Sequence, residues 1–264
     1  MTYPITVVDA FTDRPFAGNP AAVCVLASPM PDEWMQQVAM EMNLAETAFL
    51  HRVADGFALR WFTPTVEVDL CGHATVASAH VLWQDAYLDR NQVARFETRS
   101  GPLSARRDGD RIVLDFPAKE AKPGSVPPEL LPALGITKAK WVGKNQFDYL
   151  VEIATETEVR QLDPDHGKLA RLAVRGAIVT SRADQGRPYD FVSRFFAPGS
   201  GIPEDPVTGS AHCALGPYWR AILGRDALIG YQASPRGGTV HVECRGDRVL
   251  LGGQAVTILR GMLS

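Results

Sequence analysis

The sequence predicts an α+β protein built from two pseudo-symmetric domains. Three observations point there. The stretch RWFTPTVEVDLCGHATVASAH, beginning at Arg60, is written again in altered form as RFFAPGSGIPEDPVTGSAH, beginning at Arg194. Each copy runs into a glycine-led pattern with almost no charge, GHATVASAHVLW and GSAHCALGPYWRAIL. A helix apolar on every side belongs in the middle of a domain. Around both lie short β-branched and aromatic runs cut by turn signals, the signature of strands. A repeat of half the chain favours two similar domains facing each other over one continuous sheet.

In chain order, ITVVDAF reads as a strand, TDRPFAGNP as a turn and AAVCVLA as a second strand. SPMPDEWMQQVAMEMN places Trp34, Val38 and Met42 on one helical face, and that helix should end near Asn43. AETAFLHRV and FALRWFTP form a hairpin around ADG, and QVARFETRSGPLSARRDGDRIVLDFP supplies three more strands with a turn at RDGD. AKEAKPGSVPPELLPALG is the linker candidate, rich in Pro and Gly. The domains are therefore placed at 1–118 and 119–264, with the final strand a candidate to return to the first. In the second half, AKWVGKNQFDYLVEIA reads as strands, TEVRQLDPDHGKLARL as a turn plus one helix, and RGAIVTSR and YDFVSRFFAP as strands. GTVHVECRGDRVLLGGQAVTILRGML closes the chain with two or three more.

The 264 residues, 45% hydrophobic and 22% charged, suit a folded globular protein and exclude a disordered chain or a disulfide scaffold. A net charge of −3 with scattered Lys and Arg gives no footprint for nucleic acid, though a local site for an acidic small molecule is compatible with it. MTYPITVVDAFTD lacks the features of a secretory signal, and no apolar run approaches the ~20 residues that span a bilayer. A cytoplasmic protein with no membrane partner is expected. Cys24, Cys71, Cys213 and Cys244 are far apart, without C-x-x-C pairing, and read as reduced buried thiols.

Each copy of the repeat ends at a helix start with small residues, Gly72 and His73 in one and Gly209 and Ser210 in the other. First-turn amides lack intrahelical partners and carry the positive end of the dipole, so two such ends aimed at one cleft would receive an anion. Aligned without a gap from Arg60 and Arg194, Cys71 falls opposite Asp205, one proton-exchanging group from each half. Glu46, in NLAETAFL, shares its strand face with Ala48 and Leu50, where desolvation would suit a carboxylate to proton exchange near neutral pH. Three other chemistries compete poorly. A Ser210–His73–Asp205 triad lacks a G-x-S-x-G elbow, a metal site on His73, His80 and His212 lacks ligand spacing, and no G-x-G-x-x-G follows a strand.

Together DAFTDRPFAGNPAAV, NLAETAFL, RWFTP…DLCGHATVASA and SRFFAP…EDPVTGSAH resemble the PhzF-like phenazine-biosynthesis isomerase family, from residue 8 to the C-terminal strands. The resemblance implies a diaminopimelate-epimerase-like fold: two domains, each a curved, mostly antiparallel sheet or barrel wrapped around a central helix, with the active site between them. It also implies no cofactor, no metal and a homodimer. Carried over residue by residue, it makes Glu46 the proton-shuttling glutamate, with His73 and Asp205 assisting. Gly72, Gly209 and Ser210 would hold the substrate, with Cys71 beside them. The implied reaction is a proton shift on a small carboxylated substrate of the dihydro-hydroxyanthranilate type. Racemases of the same fold use two opposed thiols, and here only Cys71 stands at such a place. A small-acid-binding protein without turnover is the reading from outside enzymology.

Overall fold

The computed structural model describes residues 2–264. It runs β1 (Tyr3–Ala10), β2 (Asn19–Leu26), α1 (Asp32–Met42), β3 (Glu46–Val53), β4 (Gly56–Phe62), β5 (Glu67–Val68), α2 (Gly72–Gln84), β6 (Ala94–Thr98), β7 (Gly101–Asp108) and β8 (Arg111–Pro117). Then follow β9 (Lys122–Pro123), α3 (Leu130–Ala133), β10 (Trp141–Lys144), β11 (Asp148–Glu152), α4 (Glu156–Arg160), α5 (His166–Leu169), β12 (Gly176–Arg182) and β13 (Phe191–Phe196). Last come α6 (Gly209–Leu223), β14 (Ala227–Gln232), β15 (Gly238–Arg245), β16 (Arg248–Gly253) and β17 (Ala255–Leu263). The chain divides into two compact units, residues 1–115 with 252–264, and residues 116–251.

One pairing order occurs in both units. In the first, β1–β2 is antiparallel, β2–β3 parallel, β3–β4 antiparallel, β4–β6 parallel and β6–β7 antiparallel. In the second, β10–β11, β11–β12, β12–β13, β13–β14 and β14–β15 repeat that alternation step for step. Every parallel pair needs a crossover, and the helices supply them. In the first unit α1 joins β2 to β3 and α2 lies between β4 and β6; in the second α4 and α5 join β11 to β12 and α6 lies between β13 and β14. The repeat first seen at Arg60 and Arg194 is thus a repeat of topology. In the first unit β17 runs antiparallel along β1.

Helix α2 is buried over nearly its whole circumference and packs against β1, β2 and β3. Its two interior hydroxyls would be costly there if unsatisfied. Thr75 Oγ1 donates to the Cys71 carbonyl and Ser78 Oγ to the Ala74 carbonyl, the i−4 bond that makes such residues tolerable in an apolar helix. Helix α6 packs on β14 and β15 and carries Pro217 in its interior. Proline removes the bond that residue 217 would give to the Cys213 carbonyl. That carbonyl accepts instead from the Lys119 N–H at 2.9 Å, so the segment after β8 repairs the helix. On the surface of the first unit, α1 buries Met35, Val38 and Ala39 against Phe49 and Phe62. It ends, as its pattern predicts, with Asn43 in the left-handed conformation as C-cap.

Two local expectations need correction, and one further element appears. The linker candidate contains α3, and its Leu130 and Leu134 are fully buried in the second unit's core, which explains the apolar residues among the prolines. TEVRQLDPDHGKLARL forms two short helices: Thr155 caps α4 in a capping box and Asp165 caps α5, so a second start signal interrupts the first helix. The segment ALIGYQ is a strand, β14, whose glycine masked it. A Cβ on Gly230 would sit 2.5 Å from the Phe191 ring, so the glycine marks close packing within the strand.

Gly216 tests the packing of α6. A Cβ there would lie 2.7 Å from Val242 Cγ1, and a β-branched side chain cannot swing clear. Gly216→Ala is expected to destabilise the protein by about 1–3 kcal/mol in urea denaturation, despite alanine's better helix propensity.

Candidate active site

The two helix starts are delivered by the same device. Arg60, on β4, donates from Nε to Glu67 Oε1 at 2.7 Å and from Nη2 to Glu67 Oε2 at 2.6 Å. Its guanidinium stands 5.2 Å from the centre of the Phe62 ring. Arg194, on β13, makes the same fork with Glu204, at 2.7 and 2.8 Å, and stands 4.8 Å from the Phe196 ring. This explains the repeated Arg-aromatic-Phe: the arginine grips the loop leading to the central helix, and the second aromatic lies against the guanidinium. The partner follows the arginine by 7 residues in the first copy and by 10 in the second.

That difference overturns the ungapped alignment. Both loops end at a helix N-cap, Cys71 for α2 and Thr208 for α6, so Cys71 corresponds to Thr208 and His73 to Ser210. The residue corresponding to Asp205 is Val68. The helix starts agree in detail: Thr75 donates to the Cys71 carbonyl, and His212, four residues after Thr208, bonds the Thr208 carbonyl through Nδ1 at 2.8 Å.

In the first unit the structure gathers Glu46, Cys71 and His73, and adds Asn19. Glu46 opens β3 beside Ala21 of the parallel β2, and Asn19 opens β2, so both lie at one end of that pair. The β1–β2 turn closes on Gly18 at φ +65°, where a Cβ would stand 2.1 Å from the Ala10 carbonyl oxygen; only glycine delivers Asn19 here. Asn19 Nδ2 lies 3.1 Å from His73 Nδ1, so the Asn19 amide lies against the ring nitrogen turned away from Glu46. Cys71 Sγ is 3.5 Å from the same Nδ1. Nε2 faces Glu46 Oε2 at 3.1 Å. The pair is close but off the line of a hydrogen bond, and neither buried atom has another hydrogen-bond partner.

Burial, with the Glu46 carboxylate nearby, pushes the Cys71 thiol up to about 11, against the opposing pull of His73. Cys71 is therefore a neutral thiol near pH 7. Burial alone would lower the His73 imidazole, yet it is held well above its usual value. With Cys71 uncharged, the Glu46 carboxylate is the group that holds it there. Glu46, Cys71 and His73 also form a three-donor set, with atoms within 4.8 Å of one another, that could hold a cation.

In the second unit Asp205 is buried in the loop before α6 and accepts from the Thr208 hydroxyl at 2.5 Å. Gln232, fully buried on β14, fixes that loop from three directions. Its Nε2 reaches the Asp205 carbonyl at 2.7 Å and Thr208 Oγ1 at 3.2 Å, and its Oε1 accepts from the Thr208 N–H at 2.9 Å. Gly209 and Ser210 are the first residues of α6. Asp205 accepts from the Thr208 hydroxyl, and His73 lies against Asn19, Cys71 and Glu46, which gives no support to a Ser210–His73–Asp205 triad. His80 of the first unit is occupied by Thr257 at 3.0 Å. Asn19 and Gln232 were not singled out in the sequence because one sits in a turn-like run and the other in an unrecognised strand.

The model of the family described as phenazine biosynthesis-like protein matches residues 8–261. This chain belongs to the PhzF-like isomerase family. An uncharacterized isomerase of Halalkalibacterium halodurans is 54% identical over 264 residues, covering 100% of this chain and 99% of the relative. The crystal structure of a PhzF-family phenazine biosynthesis protein from Enterococcus faecalis matches with a TM-score of 0.93 and 42% identity, covering 100% of both chains. A hydroxyproline epimerase from Agrobacterium vitis, 11% identical, matches with a TM-score of 0.63 over 99% of this chain and 92% of its own. The PhzF-like fold is thus the epimerase-like α+β fold that the family resemblance implies.

His212 sets a pH dependence. Burial lowers its ring from 6.5 to about 4, only partly opposed by its bond to the Thr208 carbonyl. The unfolded chain takes up a proton near 6.5 and the folded one does not until about 4, so stability is lost as pH falls through that window. Wild type should lose up to about 3 kcal/mol there, and His212→Gln should remove that part of the slope. Urea denaturation from neutral to acid pH measures both, and equal slopes would contradict the assignment.

Proposed function

We propose that the protein is a cofactor-independent isomerase that shifts a proton on a small carboxylated substrate, of the dihydro-hydroxyanthranilate type. The observation that carries this reading is Glu46 Oε2, a buried carboxylate oxygen without a hydrogen-bond partner, 3.1 Å from His73 Nε2. Buried polar atoms are normally satisfied, and an exception beside a titratable ring suits a group that must accept a proton. Glu46 takes a proton from one substrate carbon, the electron pair moves through the adjacent unsaturation, and Glu46 returns the proton at another carbon. No electrons are gained or lost overall, so the step needs no redox partner.

His73, with Asn19 and Cys71 against Nδ1, presents Nε2 3.1 Å from Glu46 Oε2 and so restrains the carboxylate between its two transfers. Asp205, held by Thr208 and Gln232, assists the exchange from the second unit. The first-turn amides at Gly72, Gly209 and Ser210 bind the substrate carboxylate. A homodimer, the oligomer implied by the family likeness, is part of the proposal. The two-thiol reading gains nothing: Thr208 stands where a second thiol would be needed, and Cys213 is pushed by burial up to about 12.

The experiment is turnover in deuterium oxide with dihydro-hydroxyanthranilate and a panel of small carboxylates, read by mass spectrometry of the product. Wild type is expected to incorporate solvent deuterium, and Glu46→Gln to lose at least ~100-fold in rate. Undiminished turnover in Glu46→Gln would remove Glu46 from the mechanism. Tight carboxylate binding without any exchange would favour the small-acid-binding reading.

A further inference from the structure

The first unit contains a cavity apart from the Glu46 cluster. A cavity of about 150 Å³ is lined by His80, Trp83 and Gln84 of α2, Arg90, Arg107, Asp110, Ile112 and Ala255. At ~30 Å³ each it has room for about five waters. Its position along α2 separates it from the Glu46 cluster: ten residues from His73 to Trp83, at 1.5 Å each, are about 15 Å.

Its charges are arranged, and only in part compensated. Arg90 has no hydrogen bond or ion pair among the described residues, and Arg107 has only a long 3.4 Å contact to the Gly109 carbonyl. Arg90 sits in a fixed turn. Gln92 N–H donates to the Asp89 carbonyl at 3.0 Å, Asn91 N–H to Asp89 Oδ1 at 2.9 Å, and Trp83 Nε1–H to the Gln92 carbonyl at 3.0 Å. The backbone that carries Arg90 is therefore docked, and Arg90 and Arg107 present exposed guanidinium groups at the cavity rim. Asp110, the one acid in the lining, already accepts from Gln254. Burial, aided by the charges of Arg260 and Arg107, lowers His80 and keeps its ring neutral near pH 7, against the opposing pull of Gln84 and Asp85. Two arginines and one aspartate leave the lining at a single positive charge, which one carboxylate neutralises. The buried Ile112 and Trp83 and the half-buried Ala255 offer an apolar wall.

We propose that this cavity is a second ligand site, for a small monocarboxylate with a short apolar body, its carboxylate held by Arg90 and Arg107. The site is independent of the Glu46 chemistry.

The test uses isobutyrate on the whole protein labelled with ¹⁵N. The reporter is the Trp83 indole N–H signal, identified by its loss in Trp83→Phe. Isobutyrate should shift that signal saturably, and the neutral isostere isobutyramide should bind about tenfold or more weakly. Arg90→Ala and Arg107→Ala should each weaken isobutyrate about tenfold, with unchanged circular dichroism. Phosphate and succinate should bind no better than isobutyrate. An unmoved Trp83 signal, equal binding of the amide, or arginine variants that bind like wild type would overturn the proposal. So would a dianion that binds more tightly than isobutyrate.

Discussion

A guanidinium clamped by two carboxylate oxygens and laid against an aromatic ring occurs at the same point of both units, and in each the start of the central helix depends on it. Arg60–Glu67 and Arg194–Glu204 fix the loops that end at Cys71 and Thr208, and so fix where α2 and α6 begin. Such a pair is weak evidence for net stability, because desolvation consumes most of the Coulomb gain. Its value is geometric: a planar fork meets a carboxylate in one orientation only. The two pairs differ in surroundings. Arg194 and Glu204 side chains are 10% and 14% exposed, and Arg194 also donates to the Leu162 carbonyl at 2.6 Å. Arg60, at 26%, shares its charge with Asp32 at the start of α1, and Arg99 adds a second cation on Glu67. The first loop is held by a wetter network and the second by one drier pair.

On this common frame the halves have diverged in chemistry. The first carries the titratable set, Glu46, His73 and a neutral Cys71. In the second, a threonine and a serine stand where Cys71 and His73 would be, and an aspartate is held by a hydroxyl and by Gln232.

Much of this was legible in the sequence because the signals were local. Nearly uncharged, glycine-led helices announced their burial, and Glu46 stood out as a carboxylate on an apolar strand face. The correspondence of Cys71 with Asp205 failed because a three-residue difference hides in the loops, where only the Arg–Glu spacing reveals it. Asn19 escaped because AGNP reads as turn chemistry, while its amide serves a histidine 54 residues away. Gln232 escaped because Gly230 disguised its strand. In each case the missing information was a contact distant in sequence.

The most direct test of the account is a double-mutant cycle on the drier pair, Arg194→Met with Glu204→Gln, read by urea denaturation. If this pair fixes the loop that carries Asp205 and Thr208, the two substitutions will couple by at least about 1.5 kcal/mol. Single effects that simply add, with coupling near zero, would contradict it.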